Sequence, residues 1–424
     1  MMPHAALDLA REIADRLAYP ATSLGAAVAA DWRRQSLGHG VPGIALLHIE
    51  LAAAGLGPWD RADAWLAAAT SGQPLTTGAD SHAFYGAPAV AHALACAAER
   101  LPGAYGAVLD ALDRQMVSDA DRRLACAEQR IAAGQLPALA EFDAIRGLTG
   151  YGAYLLRRRP DSDTVRTVLD YLIQLTLPLD HQGETVPGWW TASGPSGRPD
   201  DRYPDGHGNT GVAHGIGGVL ALLSLAARHG TMAAGHREAI RSILSWLDRW
   251  QVDTGRGPVW PYWVTLPALR TGDLALGPQR PSWCYGTAGL ARAQQLAAIA
   301  LGDRARQLAA ERALLAALTD PNQLRTTTDN GLCHGFSGLA HIAARAAHDA
   351  LPATAGRLRA VLPALLAPVH PPGSDAAAAA TALLHTSEPD PGLLDGASGI
   401  ALALLTPATG APPHTSWDAC LLIA

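Results

Sequence analysis

CHGFSGLAHIAARAA, residues 333–347, opens with two glycines spaced Gly-x-x-Gly and runs into an apolar segment of helical length. The same construction recurs on both sides. It reads CYGTAGLARAQQLA from Cys284, AHGIGGVLALLSLA from Ala213, RGLTGYGAYLL from Arg146, GHGVPGIALLHIEL from Gly38 and DGASGIALALL from Asp395. FYGAPAVAHALACAA, from Phe84, is a degenerate copy with Ala89 at the second glycine. Seven units result, their first glycines 46 to 71 residues apart, each interval long enough for two helices and their turns.

Amphipathic stretches lie between the units. Ile240, Ile243, Leu244, Leu247 and Trp250 line one helical face, and Val165, Val168, Leu169 and Leu172 line another. The segments after the glycines are apolar nearly all round, as expected of enclosed helices. The pattern predicts seven helical hairpins, each with a buried and an amphipathic helix. The first glycine permits a tight turn, and the second lets a neighbouring helix approach. No polar capping unit stands at either end, so an all-α chain closed into an α/α toroid is expected, as one domain over 1–424. Two long loops interrupt it, at about 184–208 and 254–282. Both lead into chemically unusual units and are expected to border a binding groove, with Trp189 and Trp190 either its apolar contacts or an ordinary packing pair.

The bulk composition excludes several classes. Of 424 residues 49% are hydrophobic and 17% charged, which is globular. A net charge of −6 gives no footprint for nucleic acid. Asp8 and Arg11 break the apolar region that a signal peptide needs, and no apolar run approaches the roughly 20 residues of a membrane span. Five cysteines, scattered and odd in number, make no disulfide framework. A reduced, cytoplasmic chain is expected.

Chemistry concentrates in the two positions before each first glycine. Along the chain they read Gly-His, Phe-Tyr, Ile-Arg, Ala-His, Cys-Tyr, Cys-His and Leu-Asp. Cys284 and Cys333 share one slot in consecutive units, and His334 follows Cys333. At helix N-termini, where the dipole favours thiolate, two cysteines and a histidine form a Cys₂His set suited to one zinc per chain. Three protein ligands with an open fourth position are the arrangement of a catalytic zinc. Cys96, Cys126 and Cys420 lie outside the slot and are read as core or surface thiols. His39 shares the local pattern of His214 but is taken as structural, and Asp395 as a helix cap or a partner to Arg.

SWCYGTAG (282–289), CHGFSG (333–338) and NTGVAHGIGG (209–218) resemble the signature motifs of lanthionine synthetase C-like proteins, which include the bacterial lanthipeptide cyclases. The resemblance covers essentially the whole chain. It implies that Cys284, Cys333 and His334 are zinc ligands, His214 the active-site histidine, Asp143 the active-site aspartate, and Tyr285 and Arg280 the residues beside the metal. Gly217 and Ala288 stand where the family has proline before the second glycine, a change that bears on loop stiffness.

The implied reaction is Michael addition of a peptide cysteine thiol to dehydroalanine or dehydrobutyrine, giving lanthionine or methyllanthionine. Arg280 meets the enolate charge, Asp143 orients His214, and His214 either protonates the α-carbon or takes the thiol proton. The implied partners are a dehydrated precursor peptide with its leader and a lanthipeptide dehydratase. Alternatives are a relative that adds glutathione or another thiol to dehydrated protein residues, and a non-catalytic peptide scaffold. A prenyltransferase β-subunit or a carboxylate-based glycosidase would also be toroidal, but the double-cysteine slot speaks against both.

Overall fold

The computed structural model describes residues 3–23, 31–274, 276–384 and 390–424, so residue 275 of the second long segment lies outside the described residues. The described chain is mostly helical. Every first glycine (Gly40, Gly86, Gly147, Gly215, Gly286, Gly335 and Gly396) is the N-cap of a helix. The helices are Val41–Ala53, Ala87–Ala98, Leu148–Arg158, Ile216–Arg228, Thr287–Leu301, Phe336–Asp349 and Ala397–Thr409. We number the preceding turns one to seven.

Two compact units divide the chain. One holds Met1–Gln115, Thr327–Ala419 and Ala424, and with them turns one, two, six and seven. The other holds Met116–Thr326 and Cys420–Ile423, with turns three, four and five. In the first unit Val41–Ala53 packs on Trp59–Thr70, and Phe336–Asp349 on Pro352–Ala360. In the second, Leu148–Arg158 packs on Asp163–Gln174, Ile216–Arg228 on His236–Arg249, and Thr287–Leu301 on Arg304–Thr319. The seventh pair departs from simple repetition. Ala397–Thr409 packs on the N-terminal helix Pro3–Arg16, so the two ends of the chain share one hairpin.

Successive turns are joined by backbone hydrogen bonds. Within the first unit, Leu332 and Cys333 N–H donate to Leu394 C=O, Leu394 N–H to Gly38 C=O, and Leu37 N–H to Phe84 C=O. Within the second, Ala144 N–H donates to Ala213 C=O, and Val212 and Ala213 N–H to Cys284 C=O. The accepting carbonyl always lies two residues before a first glycine.

The tight fold of each turn, more than flexibility, explains the second glycines. A Cβ on Gly43, Gly218, Gly289, Gly338 or Gly399 would overlap the carbonyl six residues earlier, in the residue's own turn. Neighbouring turns add to this: Gly43 also faces Leu393 N, and Gly399 the Leu332 side chain. Among the first glycines Gly286 is doubly constrained, with φ 118° and the Arg280 carbonyl against it.

The two long segments carry short strands. Trp190–Thr191, His207–Asn209 and Trp263–Thr265 form an antiparallel sheet that joins both segments. Trp189 and Trp190 are buried, which favours the packing pair over ligand contacts. Trp189 meets Trp246 edge-on at 5.5 Å, and Trp190 packs with Val186 and Leu266 and donates Nε1–H to Asp205 C=O. Their large apolar rings stabilise the sheet instead.

Gly338→Ala should force the turn that carries Cys333 and His334 away from the Leu332 carbonyl, at a cost of about 1–3 kcal/mol. Denaturant unfolding checks this, and an unchanged midpoint would contradict it.

Candidate metal centre

In the second unit, turn five positions Cys284. Its carbonyl takes two amides from turn four, and its Sγ lies 3.6 Å from Ser282 Oγ in a buried setting. Asp143, buried at the entrance to turn three, holds its own turn through Oδ1, which accepts from Arg146 N–H at 2.6 Å and Gly147 N–H at 2.8 Å. Its Oδ2 lies 2.7 Å from His214 Nδ1. A carboxylate only accepts, so Nδ1 carries the proton and Nε2 is left for chemistry. Asn209 donates Nδ2–H to the Tyr285 hydroxyl at 3.0 Å, and the Tyr285 ring lies 6.4 Å from that of His214. Tyr262 fixes the backbone of Arg280: its hydroxyl accepts Arg280 N–H at 2.6 Å and donates to Arg280 C=O at 3.3 Å.

In the first unit, turn six carries Cys333 and His334. Asp329 Oδ1 accepts Gly331 N–H, and Asp329 C=O accepts Phe336 N–H, which fixes the turn at the start of the helix. Both nitrogens of His334 face carboxylates, Nε2 at 3.4 Å from Asp329 Oδ2 and Nδ1 at 3.5 Å from Asp395 Oδ1. Burial raises the Asp395 carboxyl, and the neighbouring His334 and His39 oppose that shift. Asp395 is therefore not the helix cap read from the sequence. The cap residue is Gly396, with no side-chain bond, and the carboxylate serves His334.

One ligand atom each from Cys284, Cys333 and His334 lies within 4.8 Å of the other two, and among the described residues this is the group of His, Cys, Asp and Glu that could hold a metal ion. Ligand atoms around a tetrahedral zinc sit about 3.3–3.8 Å apart, so small side-chain adjustments complete the site. Two sulfurs and an imidazole with carboxylate neighbours suit zinc, since a ligating histidine keeps its other nitrogen on an acceptor.

Residues 31–422 match the sequence model of the family described as "Lanthionine synthetase C-like protein". The chain belongs to that family. A curated relative, "Nisin biosynthesis protein NisC" from Lactococcus lactis subsp. lactis, is 25% identical over 207 residues, which is 48% of this chain and 48% of the relative. That match thus spans about half the length of the curated relative. A solved structure titled "Nisin cyclase" superposes with a TM-score of 0.76 at 21% identity, covering 93% of each chain. The likeness establishes the fold as the all-α toroid expected from the repeats.

For this lanthionine synthetase C-like chain, the family motifs named in the sequence fall on the turns just described. Asp329 and Asn209 escaped sequence reading, although they occupy one slot, six residues before a first glycine. Removing an outer carboxylate from a ligating histidine typically weakens metal binding by about 10–100-fold. Asp395→Asn should lower zinc affinity within this range, measured by competition with a chelator. An affinity equal to the wild type would show that Asp395 does not support His334.

Proposed function

We propose that this protein is a zinc-dependent lanthipeptide cyclase. It closes lanthionine and methyllanthionine rings by adding peptide cysteine thiols to dehydroalanine and dehydrobutyrine. The observation that carries this reading is the convergence of Cys284, Cys333 and His334 in a member of the lanthionine synthetase C-like family, with a carboxylate-oriented histidine on a neighbouring turn of Cys284.

One zinc ion per chain, held by these three residues, would supply the Lewis acidity that keeps a peptide cysteine as thiolate near neutral pH. The remaining work falls to the chain. Asp143 orients His214 through Nδ1, so that Nε2 is the atom at which the imidazole exchanges a proton. Asn209 holds the Tyr285 hydroxyl beside that ring. The Arg280 guanidinium has no hydrogen-bond or ion-pair partner among the described residues, and meets the charge that develops on the enolate oxygen. The substrate is a dehydrated precursor peptide with its leader, delivered by a lanthipeptide dehydratase. No described helix is long and apolar enough to cross a membrane, and we place the reaction in the cytoplasm.

Metal analysis of the purified protein should find one zinc per chain, and Cys284→Ala, Cys333→Ala or His334→Ala should lose both zinc and cyclisation. A zinc-free protein that still closes rings would refute the proposal, as would addition of glutathione alone with no ring closure in a dehydrated peptide.

His214→Asn should keep its zinc and lose cyclisation rate by about 10²–10⁴-fold, the usual contribution of a positioned acid or base. Asp143→Asn should lose less. Zinc loss from His214→Asn would make that residue a ligand instead.

A further inference from the structure

The residue six before a first glycine follows one plan in three turns. Asp329 in turn six and Asp390 in turn seven each anchor one oxygen on the amide two residues on, Gly331 N–H at 3.0 Å and Gly392 N–H at 2.8 Å. The other oxygen reaches a histidine that stands directly before a first glycine, His334 at 3.4 Å and His39 at 2.5 Å. Asn209 in turn four repeats the arrangement. Its Oδ1 accepts Gly211 N–H at 3.0 Å, and its other arm reaches Tyr285, also directly before a first glycine. Asn209 is nevertheless the one neutral residue of that slot, which is charged in the other six turns.

The backbone decides which end of the Asn209 amide faces Tyr285. Gly211 N–H can only donate, so the arm on Gly211 is the carbonyl oxygen and the arm on Tyr285 is Nδ2. Nδ2 lies 3.0 Å from the phenol oxygen and donates to it. The phenol oxygen is therefore the acceptor there, and its own proton is directed away from Asn209. An aspartate in the same place would do the reverse. Both of its arms accept, and the phenol would turn its proton to the carboxylate.

The Tyr285 ring has little freedom to escape this choice. Tyr262 and Trp263 pack against it at 5.6 and 5.9 Å, and it lies over Gly211, where a Cβ would come within 2.7 Å of Cε1. Asn209 is fully buried. The ring is 6.4 Å from that of His214, and Tyr285 follows Cys284 directly. All of these residues belong to the second unit.

We propose that Asn209 sets the polarity of the Tyr285 hydroxyl, making it the hydrogen-bond donor to the carbonyl oxygen of the dehydroamino acid under attack. Asn209 is thus a positioning residue, and the phenol is the group that touches substrate. This rests on the cyclase reading above and adds to it the handling of the acceptor carbonyl. As sulfur forms its bond to the β-carbon, the π pair of the alkene moves toward the carbonyl, and negative charge collects on that oxygen. The Tyr285 O–H stabilises the charge without transferring its proton. The thiol has lost one proton and the α-carbon gains one, so thiol plus alkene gives thioether and the phenol ends as it began. A donor fixed in advance by a buried amide needs no reorganisation as the charge develops, which is where such donors act most strongly.

The test uses the zinc-loaded full chain as wild type, Asn209→Asp, Asn209→Ala, Tyr285→Phe, and Asn209→Asp combined with Tyr285→Phe. Asn209→Asp keeps the bond to Gly211 N–H, as Asp329 and Asp390 keep theirs, whereas Asn209→Ala loses it. Asn209→Asp and Tyr285→Phe should each cyclise about 10²–10³-fold more slowly, with peptide affinity altered far less. Asn209→Ala should lose less than Asn209→Asp, the reverse of what a purely structural role requires. Beside Tyr285→Phe, Asn209→Asp should add no further loss. A readout independent of turnover is the infrared band of an isotope-labelled dehydroalanine carbonyl in a peptide without cysteine. Binding to wild type should move the band to lower wavenumber, and the shift should vanish in Tyr285→Phe and Asn209→Asp. An Asn209→Asp loss that persists in full beside Tyr285→Phe would mean that its charge alone acts, and would overturn the assignment. A band that wild type leaves unmoved, or a wild-type rate in Asn209→Asp, would overturn it as well. A wild type that neither holds zinc nor cyclises would instead defeat the underlying cyclase reading.

Discussion

A backbone amide in one glycine turn donates to a carbonyl in the next, and the rest of the fold is arranged so that this bond can form. Buried amides and carbonyls left unpaired each cost about 1–3 kcal/mol, so turns at the ends of buried helices must find partners. Here they find each other. Each turn that makes these bonds is itself tightly folded, and five second glycines lie where a Cβ would strike the carbonyl six residues earlier in the same turn. Glycine at these positions is a packing requirement in which φ plays little part, Gly286 excepted.

The same bonds select where chemistry can sit. The residue two before a first glycine is tied to a neighbouring turn through its backbone, Cys284 by its carbonyl and Cys333 by its N–H, and the residue after it follows at a helix N-terminus. Cys284, Cys333 and His334 fall in these positions, as do His214, Tyr285, Asp395 and His39. A slot with a fixed backbone loses little entropy when its side chain is committed to a ligand, so such turns suit the mounting of the proposed metal.

Much of this was legible in the sequence. Seven Gly-x-x-Gly units pointed to the helical class and the toroid, because the motif marks both a helix start and a close approach, and two cysteines in one slot pointed to the cluster that could hold a metal. Asp395 was misread because a lone aspartate before a helix more often caps than supports a ligand, and only the position of His334 separates the two. Trp189 and Trp190 stayed ambiguous because apolar rings in a long segment look alike whether they face solvent or a core, and strand pairing between segments some 60 residues apart decided it. Sharing the seventh hairpin between the chain ends was also invisible, since no local signal pairs Pro3–Arg16 with Ala397–Thr409.

The central claim is that one zinc ion sits on two sulfurs and one imidazole with a fourth position open to a peptide thiol. X-ray absorption at the zinc edge of the purified protein tests it most directly. The account predicts two sulfur neighbours at about 2.3 Å and two nitrogen or oxygen neighbours at about 2.0–2.1 Å, with a third sulfur appearing when a cysteine peptide is added. Four sulfurs in the resting protein, or a shell of nitrogen and oxygen alone, would contradict it.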